Sequence, residues 1–268
     1  MRTLIGLSVA LLLTACGGGA PPEEVIEAAK ARVERVVAAG HMTRGALEVL
    51  GFMPVYTCGE PRRAFLNVAV PDVSTRLACA TATLERFDAV TDGVVLSFNG
   101  PDCEVHGLRL EGRAFFKYSG GEDRMEVSVD LRQLRVDGAV LPAEVGYGTC
   151  GDQTSVWAKA AGDVPGRPGH TVRVDARVGK RAGMPLLGGS SLVLDGEGEL
   201  TGPEGVDKIT LQTLQYEVGE YLPKEGTAIL ETADGRYVKA EFQPGLWRLG
   251  KVEVTVDDHS SVTVPILR

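Results

Sequence analysis

Apolar residues follow three successive patterns along this chain. Leu4 to Leu13 is a nearly unbroken apolar run of ten positions behind Arg2. As a helix it would measure about 15 Å, half the hydrocarbon thickness of a bilayer, which suits the centre of an export signal and is too short for a permanent span. From Pro22 the period turns helical, with Val25, Ile26, Ala29, Val33, Val36 and Val37 on one face and Glu27, Lys30, Glu34 and Arg35 on others. Glu23 and Glu24 complement the dipole of the first turn, and Gly40 supplies a stop. The stripe is narrow and rich in Ala and Val, so the helix is expected to pack on its own domain rather than on a membrane.

Beyond Gly40 the period drops to two, and Gly, Pro, Asn and Asp punctuate short segments. Leu47, Val49, Met53 and Val55 are spaced to line one strand face, while residues 43 to 50 equally fit a short helix. Strands are expected at 94–98, 108–118, 125–131, 171–178, 191–194, 208–216, 227–232 and 237–242. A final hairpin, 251–256 and 261–266, turns at Asp257-Asp258-His259-Ser260, and Asp234-Gly235 marks another turn.

Some of this pattern recurs. Leu108, Leu110, Glu111 and Gly112 are matched by Leu192, Leu194, Asp195 and Gly196, and Asp123-Arg124 by Asp207-Lys208. Met125 and Val127 correspond to Ile209 and Leu211; Gly138, Leu141 and Pro142 then align with Gly219, Leu222 and Pro223. The expected fold is therefore mainly β, an antiparallel sandwich or curved sheet built from a duplicated β unit, with an N-terminal amphipathic helix. The segments read as a signal peptide (1–15), a tether (16–22), a helix with a disulfide-containing β region (23–106), a first repeat (107–163), a connector (164–170), and a second repeat with the C-terminal hairpin (171–268).

The end of the leader, Leu13-Thr14-Ala15-Cys16, resembles the lipobox of bacterial lipoproteins. The resemblance covers about sixteen residues. It implies cleavage before Cys16, a diacylglycerol thioether on its sulphur and an acylated amine. Gly17 follows instead of Asp, which by the same resemblance implies the outer membrane, facing the periplasm or the surface. Several acyl chains hold a protein to a bilayer where one does not, because each buried methylene contributes about 0.8 kcal/mol. Gly17-Gly18-Gly19-Ala20-Pro21-Pro22 then reads as a flexible tether.

Export places the other cysteines, Cys58, Cys79, Cys103 and Cys150, in an oxidising compartment where they are expected to pair. Three connectivities are open to four cysteines, and closure of sequence neighbours favours Cys58 with Cys79 and Cys103 with Cys150. No Cys-x-x-Cys and no His at ligand spacing accompany them, so no metal or other cofactor is expected.

With 28 Lys and Arg against 36 Asp and Glu, the chain carries a net charge of −8, which disfavours nucleic acid as a partner. Removing Arg2 with the leader makes the body more acidic still, so it has no electrostatic reason to lie on anionic lipid. The chain contains no Gly-x-Ser-x-Gly elbow, His-Glu-x-x-His helix, phosphate-binding glycine loop or EF-hand. Gly188-Gly189-Ser190-Ser191 reads as a turn. Glu104 and His106, two apart, would share a strand face as an acid/base pair, and Asp257, Asp258 and His259 gather ligand-type atoms in a turn. Arg62-Arg63 is a small basic spot, Glu197 and Glu199 are read as outward strand residues, and Trp157 and Trp247 as buried anchors or platforms for sugars.

These features point to a lipid-anchored envelope protein without catalytic residues, a binding or structural module whose partner is an envelope protein, glycan or lipid. The alternatives are a carrier for lipid or other hydrophobic cargo, which needs an apolar concavity, and a hydrolase of envelope polymers, which needs Glu104, His106, Asp257 and His259 to converge.

Overall fold

The computed structural model describes residues 19–88, 91–100, 102–121, 123–140, 143–149, 155–164, 167–178, 191–217 and 220–266. The leader, Cys16, Cys150, Leu141, Pro142, Gly219 and the start of the Gly188-Gly189-Ser190-Ser191 turn lie outside these residues.

Two helices precede the sheet, α1 (Glu23–Leu50) and α2 (Arg62–Arg76). The strands are β1 (Ala80–Arg86), β2 (Asp92–Phe98), β3 (Glu104–Val105), β4 (Leu108–Gly121), β5 (Arg124–Asp130), β6 (Leu134–Val136), β7 (Ala139–Val140) and β8 (Ala143–Thr149). They continue with β9 (Ser155–Asp163), β10 (Thr171–Val178), β11 (Ser191–Gly202), β12 (Gly205–Glu217), β13 (Glu225–Glu231), β14 (Tyr237–Phe242), β15 (Lys251–Val256) and β16 (Val262–Pro265). Every pairing is antiparallel, and the order β1-β2-β4-β5-β8-β9 and on to β16 follows the chain. The result is one open sheet rather than a sandwich; β6 and β7 branch from β4, and β3 adds a short hairpin to it.

Strand alternation gives this sheet two chemically distinct faces. In β10, Val172, Val174 and Ala176 are buried while Thr171, Arg173, Asp175 and Arg177 are exposed. The inward side chains meet α1, which touches β8, β9, β10, β11 and β15. Small residues, Ala158, Ala176 and Gly196, stand side by side on three neighbouring strands of that inner face. From Ala29 to Leu50 nearly every residue of α1 is buried, whichever way its side chain points. The sheet curls around the helix and uses it as its core.

That enclosure explains why α1 outruns its expected stop. Gly40 and Gly45 lie inside the helix, which has 28 residues and a length of about 42 Å, so residues 43–50 are helical and not a strand. Gly40 serves packing: a Cβ there would collide with the hydroxyl of Tyr216 on β12. Tertiary contact overrides the glycine's intrinsic penalty of about 1 kcal/mol.

The helix α2 was not foreseen, because Val68, Val70, Val73 and Pro71 argue locally against one. Its buried Phe65, Leu66, Ala69 and Val73 pack it over the edge strand β1 and the neighbouring β2. Ser74 Oγ accepts the amide hydrogen of Ala82 at 3.2 Å, so α2 also takes up an edge donor. At the opposite edge β16 is four residues long and ends in Pro265, which has no amide to offer a further strand.

Cys79 and Cys103 form a disulfide with an S–S distance of 2.04 Å. This overturns the expected Cys58–Cys79 and Cys103–Cys150 pairs. The hairpin of β1 and β2 after α2 carries Cys79 towards Cys103, whereas Cys58, before α2, lies beside Thr149 at the end of β8. Cys58 is itself disulfide-bonded, with its partner outside the described residues, and its Sγ lies 3.7 Å from Thr149 Oγ1.

The internal duplication is not shown. Residues 164–170 join β9 and β10, neighbours in one continuous sheet. The sequence match pairs Asp123 with Asp207, yet Asp123 lies in the β4–β5 turn whereas Asp207 lies within β12.

Candidate functional site

The inside of the curl is polar at two points along α1. Near its N-terminal half, Arg32 Nε and Arg35 Nη2 both donate to Asp207 Oδ2 of β12 at 3.2 Å, and Asp207 Oδ1 accepts the Ala233 amide at 2.9 Å. Arg32 reaches Asp234 (3.1 Å), Arg35 reaches Glu204 (3.4 Å), and Arg167 pairs with Glu34. Deeper in, Arg44 Nε donates to Glu48 Oε1 at 2.7 Å, one helical turn away, and its Nη1 donates to the carbonyl of Glu220. Burial raises the pKa of Glu48 above the usual carboxylate value, with the Arg44 guanidinium opposing that shift. The contacts of Arg32, Arg35, Glu34 and Arg44 with Asp207, Asp234, Glu204, Arg167 and the Glu220 carbonyl therefore tie α1 to the strands and turns around it, while Arg44 and Glu48 pair within the helix.

Phenols line the same interior. Tyr147 Oη accepts the Tyr56 amide at 3.1 Å, and burial pushes its pKa up to about 12. Tyr118 and Tyr216, fully buried, are shifted upward by desolvation in the same way. Phenols held this firmly neutral act as shape-filling groups rather than as proton carriers near pH 7.

The expected catalytic residues are scattered. Glu104 lies in β3 opposite Arg109, while His106, with φ 53°, takes the first position of the tight turn to β4 and does not share a strand face with Glu104. His106 stacks edge-on against Phe52, just past the end of α1, with ring centroids 6.0 Å apart. Asp257 closes the final turn instead: Oδ1 accepts the Tyr237 amide at 2.9 Å and Oδ2 accepts from Arg236 Nη1 at 3.2 Å. His259 Nδ1 is 3.1 Å from the Val256 carbonyl, and Asp258 is exposed. The Asp257 turn is linked through Arg236 and Asp234 to Arg32, whereas His106 acts electrostatically on Glu48. Arg32 and Glu48 are sixteen residues apart on one helix, about 24 Å, so these candidates cannot meet around one substrate atom.

Arg62 is a strut: it donates to Asp92 Oδ2 (3.1 Å) and to the carbonyls of Tyr118 and Gly120, tying α2 to the sheet, while Arg63 is exposed. Trp247 is buried as anticipated, with the Arg248 guanidinium 5.0 Å from its ring. Trp157 is not a buried anchor. It is half-buried on the outer face, laid over Gly146, where a Cβ would come within 2.6 Å of the indole. Lys159 Nζ lies 5.6 Å from the same ring.

Two grooves open on this outer face. One, about 550 Å³, is bounded by Arg173, Asp175, Glu197, Glu199, Lys208 and Glu231; the other, about 450 Å³, includes Lys117, Glu144 and Lys159 and shares Arg173 and Asp175 with the first. Glu197 and Glu199 are exposed, as the sequence pattern predicts. Sequence reasoning missed the grooves because their residues come from eight strands. Among the described residues no group of three or more His, Cys, Asp or Glu is placed to hold a metal ion, and no helix is long and apolar enough to cross a membrane.

Comparison of the chain with protein-family models, with curated proteins and with solved structures finds no significant match.

Proposed function

We propose that this is a lipid-anchored protein of the bacterial cell envelope whose folded body is a non-catalytic binding or structural module. The observation that carries the reading is the lipobox-like Leu13-Thr14-Ala15-Cys16, set seven residues before the first residue of α1 behind an export-type apolar run. Cys16 carries the lipid, the Gly-rich residues after it form the tether, and α1 passes straight into the sheet it fills.

The filled interior favours a binding or structural role over transport of hydrophobic cargo. A carrier would need the concave face of the sheet as its cavity, and α1 covers that face with its own side chains. The separation of Glu104 and His106 from Asp257 and His259 likewise leaves a hydrolase without its residues. Fractionation tests the anchor: the chain is expected in the membrane fraction and the Cys16→Ser variant in the soluble fraction, and identical partitioning of the two sinks the proposal.

A further inference from the structure

The face of the sheet turned away from α1 has a continuous, charge-balanced relief. The two grooves meet at Arg173 and Asp175 and together cross β4, β5, β8, β9, β10, β11, β12 and β13. Seven inter-strand steps make that path roughly 34 Å long, the footprint of a polymer rather than of a small molecule.

Charges of both signs line it. Arg173 stands opposite Glu199, Glu199 opposite Lys208, and Lys208 opposite Glu231, each pair directly across neighbouring strands. One row away Lys159 stands between Glu144 and Asp175, with Asp130 beyond Glu144 and Glu197 beyond Asp175. Arg173, Glu199, Lys208, Glu231, Glu144 and Asp175 are exposed, while Lys159 leans towards the Trp157 ring. A polyanion laid in this path would meet the carboxylates of Glu144, Asp175, Glu199 and Glu231, and a polycation the cations of Lys159, Arg173 and Lys208, so either meets like charge repeatedly. A chain of hydroxyl groups meets no such conflict, because each hydroxyl donates to a carboxylate or accepts from an ammonium or guanidinium.

A second, independent feature stands beside the path. Trp157 shares a cross-strand row with Ser128, Gly146 and Arg177, next to the row that contains Lys159. Gly146 leaves room for the indole to lie down on the sheet, and Lys159, which lines the groove, flanks the ring. A flat, partly exposed aromatic ring at the border of a hydroxyl-compatible groove is the apolar platform on which the C–H face of a sugar stacks.

We propose that this outer face binds an extended, uncharged polysaccharide, with Trp157 as stacking platform and the Arg173–Glu199–Lys208–Glu231 row as its hydrogen-bonding floor. The inference deepens the binding-module reading and rests on it, while requiring nothing of the lipid anchor.

Native affinity electrophoresis of the full-length protein, extracted in mild detergent, tests this in gels containing dextran, laminarin or glucomannan. Alginate and a mixed Glu/Lys copolymer serve as charged comparators. At least one neutral polymer is expected to retard the protein, and more strongly than either comparator does. Trp157→Ala is expected to weaken retardation about tenfold, with Trp157→Tyr recovering most of it. Glu199→Gln with Lys208→Gln, two exposed changes that leave the core untouched, is expected to weaken it several-fold at unchanged thermal midpoint. Absence of retardation by all three neutral polymers overturns the proposal, as does preference for alginate or for the copolymer. Retardation that survives both sets of substitutions overturns it too. Release of new reducing ends from the retarding polymer would overturn the non-catalytic reading while leaving the groove as the sugar site, so the two failures are distinct.

Discussion

Tyr216 directs its buried hydroxyl at the backbone of Gly40, and the two residues fix how closely β12 approaches the central helix. Replacing a mid-helix glycine by alanine ordinarily stabilises by up to about 1 kcal/mol. Here the added methyl collides with the phenol, so Gly40→Ala is expected to destabilise by about 1–3 kcal/mol through overpacking. Gly40→Ala with Tyr216→Phe, which removes the colliding oxygen, is expected to regain most of that loss. Urea unfolding of the three variants checks both statements.

Among the described residues the Arg44–Glu48 pair is the deepest ionic contact, with side chains 1% and 5% exposed. Arg44→Met strands a buried carboxylate and is expected to cost about 3–5 kcal/mol. Arg44→Met with Glu48→Leu removes both charges and is expected to lie much closer to the wild type. A double-mutant cycle by chemical denaturation reads the difference; a double variant as unstable as the single one contradicts the account.

The raised pKa of Glu48 has a definite sign in stability. A carboxyl that binds its proton more tightly folded than unfolded stabilises the fold in the acid form. That contribution is complete below pH 4.5, the unfolded value, and is lost as pH rises through the higher folded value. Wild-type stability relative to Glu48→Gln is therefore expected to fall as pH rises through that window. Denaturation midpoints of the two proteins across pH 3 to 8, on the order of one point per half unit, record the trend.

Disulfide placement is checked by peptide mapping without reduction. Cys79 is expected to be recovered joined to Cys103. Cys58, whose sulphur lies beside Thr149, is expected to be joined to Cys150, the next residue along the chain. These two links bracket α2, so their reduction is expected to loosen the cover over β1 first, seen as faster amide exchange in β1 than in β12.

Much of the sheet was legible in the sequence because alternation acts locally. The strands at 171–178, 237–242 and 251–256 have the bounds their pattern predicts. The two helical surprises have different causes: burial on nearly all sides hides the amphipathic cue of α1, whereas β-branched residues and Pro71 mask the one-faced stripe of α2. α1 continues through Gly40 because Tyr216 needs the space, and α2 survives Pro71 because Phe65, Leu66, Ala69 and Val73 pack over β1. Glu104 and His106 looked like partners at a spacing of two, but the tight turn at His106-Gly107 breaks the alternation on which that reading depended. The outer groove was illegible for another reason. Its neighbours are set by register, with Arg173 meeting Glu199 and Lys208 meeting Glu231, and pairing between strands leaves no trace in any single stretch of chain.

The claim on which the functional account turns is made at Cys16. Intact-mass measurement of the protein isolated from its own membranes tests it most directly. The account predicts a chain that starts at Cys16 and is heavier than its residues by a diacylglycerol and an acyl group. A chain that still begins with its leader, or one that starts at Cys16 with an unmodified thiol, contradicts it.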